Sequence, residues 1–248
     1  MKKIIGFFGG DGQVGTTMAA QSLAELLQQR GQRVLYIMGS GKFGDEFLNL
    51  EGRHSIDDLK AAVRSGRVSG EELFQNLEEI KGLWVLPAVR NPLTARYFPE
   101  NTYEVLLAGV FDEFDYVVID SGCDAELGLF ISAVNTADYR FFVTTQQSKS
   151  LRRLVLLMKN VMQPLQKEGS LIICKYMKDP GLLLKRDVLT LCEMEEAFTV
   201  PYVEYGWQAE MESKSLLRYG KFYKAMAVLA DIFEQEGQKE GLWKKRFL

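Results

Sequence analysis

Residues Gly10-Asp11-Gly12-Gln13-Val14-Gly15-Thr16-Thr17 have the types and spacing of a loop that cradles phosphates. They follow an apolar run, Ile4 to Phe8, and precede a helical pattern from Met18 to Gln29. Strand, glycine-rich loop and helix therefore come in the order that such a loop requires. In that arrangement backbone N–H groups and the positive end of the helix dipole face the phosphates. A lysine in the loop reaches the β- and γ-phosphates, and the hydroxyl after it holds Mg²⁺. The spacing fits G-x-x-x-x-G-K-[ST], but Thr16 stands in the lysine's place. Thr17 still offers the hydroxyl, while the charge is gone. The same few residues point to a nucleotide-binding fold and cast doubt on nucleotide chemistry.

A second chemical signal lies downstream in Tyr116-Val117-Val118-Ile119-Asp120. A buried strand ending in aspartate can order the shell of a nucleotide-bound Mg²⁺. Alone this is a weak pattern, and it gains weight from following the loop. Thr17 and Asp120 are the expected metal contacts, and only if Mg-nucleotide binds. The single histidine, His54, has no catalytic partner in view and is expected to be structural or solvent-exposed. The cysteines Cys123, Cys174 and Cys192 lack metal-ligand spacing; an odd, scattered set reads as reduced thiols in a cytosolic setting.

The elements that must position these residues alternate. Ile4–Phe8, Val34–Met38, Leu83–Leu86, Tyr116–Ile119, Tyr139–Thr144 and Leu171–Cys174 read as buried strands. Thr17–Arg30, Ile56–Ser65, Gly70–Glu79, Thr102–Asp112, Leu127–Asn135, Ser150–Glu168 and Lys221–Glu236 read as helices, with Gly31 stopping the first of them. Such alternation predicts a three-layer α/β fold, a mostly parallel sheet with helices on both faces. Ligands of these sheets sit beyond the carboxyl ends of the strands, where Gly10–Thr17, Gly39–Asp45 and Asp120–Asp124 should converge. With 248 residues, 47% hydrophobic and 25% charged, the chain can bury a sizeable core. No linker, repeat or low-complexity tract divides it, so residues 1–236 read as one domain and 237–248 as a short tail. The net charge of −3 gives no global field for nucleic acid. The N-terminal apolar run is too short for a signal peptide, and no stretch is long and apolar enough to span a bilayer.

Arg33 leading into Val34–Ile37, the segment Gly82-Leu83-Trp84-Val85-Leu86-Pro87-Ala88 and the strand Phe114–Asp120 resemble the MinD/ParA class of P-loop ATPases over nearly the whole chain. Phe43-Gly44-Asp45, Leu48-Asn49-Leu50 and His54-Ser55-Ile56-Asp57-Asp58-Leu59 are similar to the CpaE/TadZ branch, which takes part in Tad (Flp-type) pilus assembly and positioning. Those proteins often carry an N-terminal receiver-like domain, whereas this sequence begins directly at the loop's strand. The resemblance implies a signature lysine early in the loop that reaches a partner's nucleotide across a dimer; its position here is Asp11, a reversed charge. It implies switch I aspartates at Met38 and Ser40, and an adenine-recognising asparagine at Cys174. Ser121-Gly122-Cys123 replaces the more usual proline-containing switch II sequence. These departures, with the strand and helix pattern kept, suggest a retained fold and a discarded reaction.

Each retained residue has a second reading. Gly10, Gly12 and Gly15 could serve only a turn needing positive φ and close packing. Thr17 could cap the helix, and Asp120 could anchor a loop. Lys42 could swing to the phosphate site as a substitute cation or remain a solvated loop lysine. The tail Leu242-Trp243-Lys244-Lys245-Arg246-Phe247-Leu248 mixes cations with large apolar residues. Trp243 and Phe247 share a helix face, so the tail reads as membrane-surface binding, similar in composition to the MinD tail, or else as packing on the body. Tyr202, Tyr205, Trp207, Tyr219, Phe222 and Tyr223 crowd one region as core or as an interface.

The expectation is thus a non-hydrolysing MinD/ParA-like scaffold or positioning protein, cytoplasmic or peripheral at the inner face of the membrane. Its partners would be proteins of a membrane-associated assembly machine, and nucleic acid is disfavoured. Mg-ATP or ADP would be at most weakly bound, and the chain would be a monomer or a nucleotide-independent homodimer. The rival expectation is an ATPase that uses Lys42 or a partner's arginine in place of the missing lysine.

Overall fold

The structure, a computed structural model, describes residues 3–44, 48–52, 54–110 and 112–246, with side chains described as far as residue 234. Among the described residues eight strands form one sheet: β1 (Lys3–Gly9), β2 (Val34–Met38), β3 (Glu78–Ile80), β4 (Leu83–Leu86), β5 (Tyr116–Asp120), β6 (Tyr139–Thr144), β7 (Ser170–Tyr176) and β8 (Ala197–Pro201). Their order is β3-β4-β2-β5-β1-β6-β7-β8, and only the β3–β4 pair is antiparallel. The helices are α1 (Thr16–Gln29), α2 (Lys60–Arg64), α3 (Gly70–Gln75), α4 (Thr102–Leu107), α5 (Gly128–Thr136), α6 (Ser148–Leu157), α7 (Lys185–Cys192), α8 (Trp207–Met211) and α9 (Gly220–Arg246).

The strands are apolar on both sides because both faces are covered. Ile5, Phe7, Tyr36, Val118 and Phe141 pack under α1 and α9. Ile4, Phe8, Ile37, Ile119 and Phe142 pack on the opposite face, under α4, α5 and α6. This is the three-layer arrangement that the alternation predicts. Helix α9 is anchored by Phe233, whose ring lies 5.2 Å from that of Tyr139 and 6.0 Å from that of Tyr116. At the foot of α1, Arg30 reaches Asp231 at 2.9 Å and Glu234 at 3.1 Å on α9. Gly31, at φ 84, ends α1 as expected.

Several expected elements are corrected. Gly70–Glu79 is not one helix: α3 stops at Gln75, and Glu78–Ile80 pairs antiparallel with β4 at the sheet edge. Ser150–Glu168 is α-helical to Leu157 and continues as a wider π-helix only to Met162. Strand β8 and helices α7 and α8 had no counterpart in the sequence reading. The described backbone of α9 continues past Glu236 to Arg246. Of the tail, the side chains of Leu242–Arg246 and all of Phe247 and Leu248 lie outside the described residues, as does Asp45.

Candidate functional site

The loop closes over the carboxyl ends of β1, β5 and β6. The Gly9 amide donates to the Gly122 carbonyl at 2.7 Å and the Gly10 amide to that of Val143 at 2.8 Å. A side chain at Gly10 would run into Leu154 of α6, 2.6 Å from its Cβ and 3.0 Å from its Cα. Gly15 sits at φ 102, where only glycine is comfortable, and begins α1 with no side-chain cap. Gly12 needs neither explanation: its φ is unexceptional and a Cβ there would meet no atom within 4 Å. The expectation of positive φ and close packing therefore divides, packing at Gly10, φ at Gly15, neither at Gly12. The residue that does turn left-handed at the loop's apex is Gln13, at φ 61.

Thr17 is not a helix cap, because Gly15 holds that position. Its hydroxyl instead donates to Asp120 Oδ2 at 2.6 Å, across 103 residues of sequence. Asp120 ends β5 in register with Phe7 of β1 and Met38 of β2, so its carboxylate stands at the centre of the sheet's upper rim. It is buried at 2% exposure, and its Oδ1 accepts the Gly122 amide at 3.1 Å. The hydroxyl and carboxylate needed around a nucleotide-bound Mg²⁺ are thus joined. Among the described residues no cluster of three or more His, Cys, Asp or Glu could hold a metal by itself, so any Mg²⁺ here would depend on phosphate ligands. The residues fit Mg-nucleotide in part: pair, open Gly12 and uncapped helix end are present, and the loop lysine is not.

Thr16, in the lysine's place, is buried and lies over Gly9; a Cβ at Gly9 would fall 2.5 Å from its hydroxyl. Asp11 does not project as a free charge. Its Oδ1 accepts the Gly12 amide at 2.8 Å and a bond from Arg153 of α6, and Lys149 lies 3.5 Å from Oδ2. Partial burial pulls its pKa up, but the Gly12 amide, Arg153 and Lys149 prevail and hold the carboxyl below its ordinary value. Lys42 is committed to the loop after β5: its Nζ lies 2.8 Å from Asp124 and 3.7 Å from Cys123 Sγ.

A cleft of about 640 Å³ runs from this loop to the loop after β8. It is lined by Thr16, Thr17, Ser40 and Lys42 and by Cys174, Lys175, Tyr202, Trp207 and Phe222. Met38 does not reach the cleft and packs in the core under α1. Cys174 is buried against Gly15, and burial pushes its thiol up to about 12, so it offers a nucleobase no ionised group and only a weak hydrogen-bond partner. Tyr202 and Trp207, about half exposed, and buried Phe222 join the cleft wall. Tyr205 and Tyr223 are exposed on the surface. His54 is half-buried on the loop before Ser55. Sequence reasoning missed Lys175, whose Nζ donates to the Gln13 carbonyl at 2.8 Å; a lysine at the end of an apolar run carries no local signal of that contact.

No protein-family model matches the chain, and no curated protein matches it. Solved structures do. A ParA family ATPase from Chlorobium tepidum TLS superposes with a TM-score of 0.80 at 18% identity, over 93% of this chain and 99% of that one. MinD from Pyrococcus horikoshii OT3, complexed with Mg-ADP, gives 0.78 at 14% identity, over 96% and 98%. The MinC:MinD cell division complex of Aquifex aeolicus gives 0.78 at 21% identity, over 94% and 96%. At these identities the likeness is one of architecture, and in architecture this chain is a MinD/ParA-like P-loop α/β protein.

Proposed function

We propose that this protein is a non-hydrolysing relative of the positioning and partition ATPases whose fold it shares, acting as a scaffold for a membrane-associated assembly machine. The observation that carries the reading is the fate of the loop charges: Thr16 replaces the cation, and Asp11 is tied to Arg153 and Lys149. A loop built this way has no group to neutralise charge developing on a transferred phosphoryl, which is the principal task of such a site. The residues around Leu48–Leu50 and His54–Leu59 that resemble the CpaE/TadZ branch make Tad-type pilus assembly the most specific version. Docking would be the mechanism: the body binds protein partners, as MinD is found with MinC, and the tail holds or orients it at the inner face of the membrane. The test is phosphate release from Mg·ATP by the full chain. Turnover that disappears in Asp120→Ala would overturn the reading; no turnover above a blank supports it.

A second reading, a nucleotide switch or a slow ATPase, is favoured by the Thr17–Asp120 bond, which joins the hydroxyl and the carboxylate that a nucleotide-bound Mg²⁺ would call on. In that version Mg-ATP or ADP stabilises one state of the body by mass action.

A further inference from the structure

The geometry points to Lys175 as the phosphate-contacting cation of this cleft, with a Mg-bound nucleoside di- or triphosphate as its ligand. The inference rests on the second reading above, in which the cleft holds Mg-nucleotide. Successive residues of a strand point to opposite faces, yet Cys174 and Lys175 both line the cleft. The cause is local: the pairing of β7 with β8 shifts register between Ile173 and Tyr176, and Lys175 turns left-handed at φ 54. Irregularities of this kind re-aim side chains, and are over-represented beside functional sites. Opposite Lys175 stands Gln13 at the loop's apex, also left-handed at φ 61. Two non-glycine residues in a sparsely populated region, joined by one 2.8 Å bond from Nζ to a carbonyl, form a built contact across the mouth of the loop.

Charge distinguishes this lysine from its neighbours. Lys42 is paired with Asp124, and Lys149 and Arg153 with Asp11. Lys175 meets a neutral carbonyl, and among the described residues no carboxylate pairs with it. Its ammonium can therefore exchange the Gln13 oxygen for a phosphate oxygen without breaking an ion pair. It would reach the phosphates from the strand side, where the usual lysine reaches them from within the loop.

The test is isothermal titration of the full chain with Mg·ADP, Mg·ATP and adenosine at two salt concentrations. The variants are Lys175→Ala, Lys175→Arg and, as a control on exposed charge, Lys178→Ala. Expected is Mg·ADP binding by the unaltered protein, weakened at least tenfold in Lys175→Ala, largely kept in Lys175→Arg and unchanged in Lys178→Ala. Adenosine affinity should change less than twofold, and the salt dependence of Mg·ADP binding should flatten in Lys175→Ala. If Lys175→Ala lowers the melting temperature, Lys175→Met, which keeps the apolar stem, takes its place. Equal Mg·ADP affinity with and without Lys175, or an equal loss for adenosine, overturns the assignment and leaves the nucleotide cleft standing. Absence of Mg·ADP binding by the unaltered protein overturns both.

Discussion

Asp11 shows how one substitution changes what a loop can do without disordering it. A carboxylate facing phosphates is unfavourable alone, but here it is a structural acceptor shared by the Gly12 amide, Arg153 and Lys149. Restoring a lysine by Asp11→Lys would therefore set three cations together. We expect a lower melting temperature that partly recovers at high salt, because salt screens exposed charges of one sign; an unchanged melt would show that the α6 contacts carry no weight. Asp57, beside the carboxyl end of β4, plays a comparable part, accepting from Lys60, the Arg90 amide and the Thr94 hydroxyl. Burial raises its pKa, but these donors outweigh burial and lower it. A carboxyl with a depressed folded-state pKa contributes stability that is complete above its unfolded value and lost as pH falls through the folded one. Asp57→Asn should accordingly destabilise at neutral pH, with the difference shrinking below about pH 4; urea midpoints across pH would show it. Loss of the lysine and reversal at Asp11 were legible in the sequence, because a motif states which residue type belongs at each place. The counter-ions of Asp11 were not, since they lie on α6, far along the chain.

At the scale of elements, the loop glycines separate packing from conformation. Gly10→Ala would press on the backbone of α6 and should cost roughly 1–3 kcal/mol, the usual range for overpacking. Gly12→Ala, open on every side, should fall within about 0.5 kcal/mol of the unaltered protein. Chemical denaturation of the two variants checks the contrast. The inner strands were readable because a strand covered on both faces is a continuous apolar run, as in Tyr116–Ile119. The outer ones were not. Glu78-Glu79-Ile80 continues a helical pattern by composition and becomes a strand only because β4 offers an edge. Ala197–Pro201 is short and half-buried, with too few residues to show a period. The left-handed turn at Lys175 lay still further out of reach, because a lone non-glycine residue in that conformation is set by the bulge around it.

For the whole molecule, the absence of a loop lysine and the tying of Asp11 argue against a dimer gated by ATP. Sedimentation of the full chain should give the same mass with and without Mg·ATP; a nucleotide-dependent doubling would contradict this. Removing Leu242–Leu248 should reduce co-sedimentation with anionic liposomes, since a short basic and aromatic segment binds such surfaces through both charge and apolar area. No helix among the described residues is long and apolar enough to cross a membrane. The sheet's borders bear on the same role. One ends in a three-residue strand carrying Glu78 and Glu79, the other in a five-residue strand closed by Pro201. Short, charged or proline-ended margins refuse to template further strands. If the protein acts as the proposed scaffold and gathers in many copies at one spot, it must crowd without polymerising, and a sheet finished at both ends in this way permits it.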